Sequence, residues 1–96
     1  MNRSVRSPVV WFRREDWGLI KRTCSGLQDT FDEWLATAEK GLADLSAHDF
    51  VAEKVILEPS ELRKRYQATG GKIDGAGRAK MALEKLIESE KDRTVN

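Results

Sequence analysis

Residues 70–80, "GGKIDGAGRAK", separate two helical patterns and decide how the second half of the chain is built. Glycine readily adopts the left-handed conformation that ends a helix, and an aspartate can accept amide hydrogen bonds where the next helix begins. We therefore predict that helix three ends at Gly70 and that Asp74 caps helix four. Gly75 and Gly77 then lie in the first turn of helix four, where the missing side chain permits close packing.

The same stretch invites comparison with a phosphate-binding loop, because it combines four glycines with three basic residues. A P-loop requires G-x-x-x-x-G-K-[ST] directly after a strand, whereas this stretch follows a helical pattern. Lys72 interrupts the glycines, and Asp74 would repel a phosphate at the start of the helix. The sequence therefore favours a structural role for these glycines, as the connection between two helices.

Capping signals and apolar spacing predict four helices. Thr30 and Glu33 have the spacing of a capping box, and the apolar stripe behind them predicts helix two over 30–46. The stripe consists of Phe31, Trp34, Leu35, Ala38, Leu42 and Leu45. Helices one, three and four are predicted over 15–25, 59–69 and 75–90. The residues predicted to face inward on the last two are Leu62, Tyr66, Ala79, Ala82, Leu83, Leu86 and Ile87.

Two β-branched and aromatic stretches, residues 9–13 and 51–58, predict short strands. The fold class is therefore α+β, with two short strands each followed by a pair of helices in the order β-α-α-β-α-α. Because a two-helix crossover joins the strands, a parallel pair is favoured. The chain is predicted to form a single domain over 1–96, with loose ends at about 1–7 and 91–96.

The two halves suggest an internal pseudo-repeat. A shift of 45 residues aligns Val10 with Val55, and it places Gly26 and Asp29 at the positions of Gly71 and Asp74. On this alignment Asp29 is predicted to cap helix two, as Asp74 caps helix four.

The composition is typical of a small, soluble, globular protein. Of 96 residues, 40% are hydrophobic and 34% are charged, and the net charge is +1. No apolar run approaches the roughly 18 residues that a membrane span requires, and the first residues lack the apolar stretch of a signal peptide. A single cysteine excludes internal disulfides. We predict a cytoplasmic protein without membrane association.

Few residues are suited to catalysis or metal binding. His48 is the single histidine and Cys24 the single cysteine, whereas a metal site needs several such ligands at suitable spacing. We expect His48 at a helix end and Cys24 as a small buried hydrophobe. We predict no catalytic, metal or cofactor-binding residues and no cofactor, which favours a non-enzymatic protein, with a small-molecule binder or enzyme subunit as an alternative.

Basic residues are concentrated in residues 61–80, which carry six bases and two acids, for a local charge of +4. The bases are Arg63, Lys64, Arg65, Lys72, Arg78 and Lys80. On the predicted helix-loop-helix over 59–88, these side chains form a candidate surface for nucleic-acid phosphates. Acidic residues interrupt the surface at Glu61, Asp74 and Glu84, so nucleic-acid binding is kept as an alternative function.

Three tryptophans are many for this length, and large aromatic residues dominate both cores and interfaces. Trp17 and Trp34 fit the apolar stripes of their helices, whereas Trp11 is a candidate interface residue on strand one. A two-stranded sheet also has two open edges, which proteins rarely leave bare. The main prediction is an interaction or regulatory module whose partner is itself, as a homodimer, or another protein.

The order of caps and core positions resembles a pattern found in small bacterial proteins of unknown function. The residues that carry the resemblance are Glu58-Pro59-Ser60-Glu61-Leu62, Tyr66, Gly70, Asp74, Arg78-Ala79, Ala82 and Glu84, together with Trp11-Phe12 and Asp32-Glu33-Trp34-Leu35 in the first half. The resemblance implies a bacterial source and no known activity. It transfers no functional residue to this chain.

Overall fold

A computed structural model describes residues 5–94 and confirms the order β-α-α-β-α-α. The elements are β1 (Val5–Trp11), a 3₁₀ turn (Arg14–Asp16), α1 (Trp17–Thr23), α2 (Phe31–Ala47), β2 (Phe50–Ile56), α3 (Pro59–Thr69) and α4 (Gly75–Thr94). The two strands form one parallel sheet, as the two-helix connection predicts. The fold is therefore α+β.

The register of the sheet coincides with the pseudo-repeat. Each residue of β1 pairs with the residue 45 positions later, from Val5 with Phe50 to Trp11 with Ile56. This is the same offset that aligns the two halves of the sequence, so equivalent positions of the halves are neighbours across the sheet. Among the helices, α1 packs against α3, its counterpart in the other half, and α4 packs against both strands.

An aromatic cluster forms the centre of the core, with Trp34 in its middle. The Trp34 ring centroid lies 5.0 Å from that of Phe12, 5.2 Å from Phe31, 5.1 Å from Trp11 and 6.2 Å from Trp17. The other buried apolar residues are Ile20, Cys24, Val55, Leu57, Leu62, Ile73, Met81, Ala82 and Leu86. The predicted burial of Trp34 and Cys24 is confirmed.

The predicted helix boundaries at the glycine-rich stretch are confirmed. Gly70 has a φ of 73° and ends α3, and the Gly77 amide donates a 2.7 Å hydrogen bond to Asp74 Oδ1 at the start of α4. α2 begins as predicted with the capping box of Thr30 and Glu33. The prediction for Asp29 is wrong, because Thr30 occupies the capping position and leaves Asp29 outside the helix.

The end of α1 differs from the prediction for a reason that lies far away in the sequence. α1 ends at Thr23 instead of residue 25, because Cys24 pairs with Ile73 in a short parallel bridge. The Ser25 amide donates to Ile73 O at 2.9 Å, and the Ile73 amide donates to Thr23 O at 2.8 Å. These bonds join the α1–α2 connection to the α3–α4 connection.

The outer boundaries of β1 and α4 also differ from the sequence-based ones. β1 begins at Val5, four residues earlier than predicted, because residues 5–7 pair with residues 50–52 of β2. α4 continues to Thr94 instead of ending at residue 90. Of the ends predicted to be loose, residues 1–4 and 95–96 lie outside the described part of the chain.

The inward face of α4 is rotated from the predicted one. Leu83 and Ile87 are 47% and 46% exposed, whereas Arg78, Ala82 and Leu86 form the buried stripe. One flank of α4 meets α3, where Arg65 pairs with Glu84 and Lys85 pairs with Glu61. The opposite flank carries Leu83 and Ile87, which therefore remain open. Tyr66 and Ala79 are exposed as well, in contrast to the prediction.

Two helical glycines should respond differently to replacement by alanine. Gly41 lies inside α2, and a Cβ there would meet no atom of the described chain within 4 Å, so Gly41→Ala is expected to raise the free energy of unfolding by about 0.5–1 kcal/mol. A Cβ at Gly77 would lie 3.0 Å from Cγ2 of the buried Ile73. This close contact should cancel the increase in the free energy of unfolding for Gly77→Ala. Urea unfolding of both variants tests the contrast. A Gly77→Ala protein as stable as Gly41→Ala would contradict the packing described.

Arg13 and Glu58 follow β1 and β2, and their guanidinium and carboxylate are joined by two bonds of 2.6 and 2.7 Å. The hydrogen bonds from Arg13 lower the pKa of Glu58. A lowered pKa in the folded state stabilises the fold above the ordinary value of about 4.3, and this contribution disappears as the pH falls through the folded value. Glu58→Gln should therefore lower the urea midpoint at pH 7, and the difference from wild type should shrink as the pH is lowered, whereas the exposed control Glu39→Gln should differ little at any pH.

Candidate functional site

The two edges of the sheet differ in which backbone groups are left without a hydrogen bond. The Leu57 amide donates to Trp11 O at 3.1 Å, so the backbone groups of Trp11 face β2. Because these directions alternate along a strand, the backbone groups of Arg6, Pro8 and Val10 face outward. Proline has no N–H group and is typical of an edge strand. Arg6 and Val10 are therefore the positions where both a donor and an acceptor face outward, and of the two only Val10 lines the groove described below.

The outer edge of β2 is closed at its C-terminal end. Lys85 Nζ donates to Ile56 O at 2.6 Å and forms an ion pair of 2.8 Å with Glu61. The other end of the strand is open, since Phe50 and Val51 are 40% and 44% exposed. A side chain on α4 thus protects β2 where α4 crosses it.

An apolar groove of about 490 Å³ runs beside β1. We call it the edge groove and define it by Val9, Val10, Ala38, Gly41, Leu45 and Arg78. Val9 and Val10 point to opposite faces of the sheet, so a groove that both of them line must open at the edge of the strand. The segment 26–28 between α1 and α2 contributes to the same groove.

The groove exists because the sheet is narrow. Two strands lie about 5 Å apart, whereas a helix with its side chains is about 10 Å across, so one helix overhangs both strands. Only Trp34 of the α2 stripe is fully buried, and Ala38, Leu42 and Leu45 are half-buried. The apolar stripe that the sequence predicts on α2 therefore extends beyond the part of the sheet that α2 covers.

Arg78 lies at one end of the edge groove and is 8% exposed. Its Nη1 donates to Ser25 O at 2.7 Å and to Ile73 O at 2.9 Å, which ties the two interhelical connections together. Among the side chains described, those of residues 6–91, no carboxylate lies within ion-pair distance of it. Arginine is rarely buried unless it is paired with an acid, so this side chain is unusual.

The structure disperses the predicted nucleic-acid surface. Arg63, Lys64, Lys72 and Lys80 are exposed, whereas Arg65 is paired with Glu84 at 2.8 Å and Arg78 is buried. Arg78 and Lys80 are two residues apart on a helix and so point in nearly opposite directions. Lys64 lines a second groove between α3 and α4 together with acidic residues, namely Glu61, Glu84 and Glu88.

Trp11, the predicted interface residue, is half-buried. Its ring meets Trp34 edge to face at 5.1 Å, and Lys54 Nζ lies 4.2 Å from its centroid. The ring is therefore packed between the core and a lysine, and its role at an interface stays a prediction.

The groups capable of covalent or metal chemistry are engaged in structure. His48 caps the end of α2 with its Nδ1 2.7 Å from Asp44 O, as predicted, and Cys24 is buried beside Thr23. Within residues 5–94, no cluster of three or more His, Cys, Asp or Glu side chains is arranged to hold a metal ion. In the same range, no helix has the length and apolar character needed to cross a bilayer.

Sequence reasoning missed Arg78 as a groove residue and grouped it with the surface bases. Arg78, Ala82 and Leu86 are spaced i, i+4 and i+8, which was the available signal that Arg78 shares the buried face. Gly41 was also missed, although a glycine inside a strong helical pattern is unfavourable enough to need a reason.

Comparison with known proteins does not extend this description. No protein-family model, curated protein or solved structure matches the chain. The function is therefore not assigned by similarity.

The buried arginine and its exposed neighbour provide a matched stability test. Arg78→Met removes two charge-assisted hydrogen bonds and should lower the free energy of unfolding by about 2–3 kcal/mol or more. Lys80→Met changes the same charge on the solvent face of α4 and should stay within about 0.5 kcal/mol of wild type. Chemical denaturation measures both variants. Equal, small effects would show that Arg78 does not hold the two connections together.

Proposed function

We propose that the chain is a non-enzymatic interaction module that binds another polypeptide through the edge groove. The observation that carries the proposal is the open apolar surface along β1, where Val9, Val10 and Leu45 are half-buried beside a free strand edge. Apolar surface with unpaired backbone groups beside it is characteristic of sites that bind other chains.

The partner is a second copy of this chain or a different protein. A second copy is supported by the small size of the sheet, since two-stranded sheets are usually completed by further packing. The proposal places the protein in a bacterial cytoplasm, which the resemblance and the single reduced cysteine support.

Nucleic-acid binding is the weaker alternative. It rests on four exposed bases, Arg63, Lys64, Lys72 and Lys80, because Arg65 and Arg78 are engaged within the protein. Lys64 shares its groove with three glutamates and with Arg65 and Lys85, so the positive charge on that side is balanced by acids. The edge groove, in contrast, is lined mainly by apolar residues and suits a polypeptide.

Site-specific photo-crosslinking tests the proposal. Thr37 lines the edge groove, whereas its neighbour Ala36 is exposed outside the groove and projects about 100° away around α2. A photoreactive benzoylphenylalanine at Thr37 is expected to give a discrete covalent adduct in cells that normally express the protein. The same amino acid at Ala36 is the control and should give little or none.

The mass of the adduct identifies the partner. An adduct at twice the 10.9 kDa of the chain indicates a homodimer, which sedimentation velocity at micromolar concentrations should reproduce with the purified protein. A larger adduct that is absent from the pure protein indicates a different partner. If Thr37 yields no more adduct than Ala36, the edge groove is not the interaction surface and the proposal fails.

A further inference from the structure

We infer that the edge groove binds the carboxyl-terminal segment of its partner polypeptide, with the terminal carboxylate held by Arg78. This inference rests on the proposed function and adds the chemical identity of the bound segment. It depends on two features of the groove, namely an uncompensated cation and a free strand edge.

The cation is Arg78, whose guanidinium uses only part of its hydrogen-bonding capacity. A guanidinium has five N–H donors, and the two bonds to Ser25 O and Ile73 O both come from Nη1. The acid nearest in the chain, Asp74, accepts from the Gly77 amide at 2.7 Å and is not within ion-pair distance of Arg78. Among the described residues the positive charge therefore has no anionic partner.

The remaining donors of Arg78 are accessible from the groove. Nη2 would lie 3.7 Å from a Cβ at Gly75, a residue that is exposed and lines the same groove. A planar guanidinium matches a carboxylate in a two-pronged geometry, and such charge-assisted pairs are among the stronger hydrogen bonds in proteins. A carboxylate at this position supplies the missing counter-charge.

The walls of the groove indicate what the carboxylate is attached to. Arg78 is bonded to Ser25, which precedes the segment 26–28, so this end of the groove is polar. From there the lining continues along Val9 and Val10 on one side and along Leu45 of α2 on the other. An apolar chain that ends in a carboxylate fits this distribution of charge.

The free backbone groups of Val10 favour a peptide over a fatty acid. An extended peptide beside β1 would pair with the N–H and C=O of Val10, whereas an alkyl chain offers no partner for them. Because Pro8 cannot donate, the added segment would be short and would pair mainly near Val10.

Gly41 lines the edge groove on α2, and the space beside it is open. Because glycine has no side chain, a bound chain can approach α2 closely at this position.

Two peptide libraries test the inference. The first contains hexapeptides randomised at their last four positions with free carboxylates, and the second contains the same peptides as carboxamides. We expect the purified protein to enrich sequences only from the first library. The best binder, labelled with fluorescein, should lose at least tenfold in affinity by fluorescence anisotropy when its carboxylate is converted to the amide.

Matched variants connect the binding to the groove. Gly41→Glu places a bulky anion in the groove and should weaken the best binder at least tenfold, whereas Gly18→Glu changes a helical glycine of α1 that is equally free of neighbours and should have less than a twofold effect. Arg78→Lys keeps the charge without the two-pronged geometry and should also weaken binding. If Arg78→Lys does not fold, the Gly41→Glu result alone still decides whether binding occurs in the groove.

The outcomes separate the inference from the proposed function. Equal affinity for the acid and the amide, or an acid library without enrichment, overturns the inference, while an adduct at Thr37 would leave the interaction module in place. Octanoate that competes at the same concentration as the best peptide also overturns it, because the groove would then recognise an alkyl carboxylate and not a peptide.

Discussion

The parallel pairing of β1 with β2 at an offset of 45 residues is the constraint on which the rest of the structure depends. Parallel strands need a long crossover, and here two helices supply it. Because the second strand is again followed by two helices, each half of the chain places equivalent residues side by side. Arg13 and Glu58, which follow the strands at the same offset, show that this equivalence extends beyond the sheet into an ion pair.

The narrowness of this sheet explains both the core and the surface left over. A single helix is wide enough to cover two strands, so α2 buries Trp34 and overhangs the edge with its remaining apolar residues. The two edges are then treated differently. Lys85 reaches across the end of β2 to Ile56 O, while on β1 Pro8 lacks a donor. The edge groove lies beside β1, whose backbone groups are less protected from pairing with another chain.

The sequence predicted the parts of the fold that are decided locally. Helix caps depend on a few neighbouring residues, and so Thr30, Gly70 and Asp74 could be placed correctly. The Cys24–Ile73 bridge could not, because it joins connections almost 50 residues apart and shortens α1 as a consequence. The buried face of α4 could not be predicted either. Periodicity identifies an apolar stripe, but the neighbouring elements decide which flank is buried, and here Arg78, Ala82 and Leu86 are buried while Leu83 and Ile87 stay exposed. The edge groove depends on the same non-local information.

Arg78 shows how a single side chain can serve both stability and recognition. Its Nη1 joins Ser25 and Ile73, so the guanidinium plane is fixed by the fold before any ligand arrives. A rigid cation loses little conformational entropy when it binds, and a buried one interacts with an anion more strongly than a solvated one. The cost is a desolvated charge in the free protein, which two carbonyl groups offset only in part. A lysine would carry the same charge but could not bind two carbonyl groups on one side and present a fixed fork on the other. The geometry of the guanidinium is therefore the reason that an arginine, and not simply a positive charge, occupies this position.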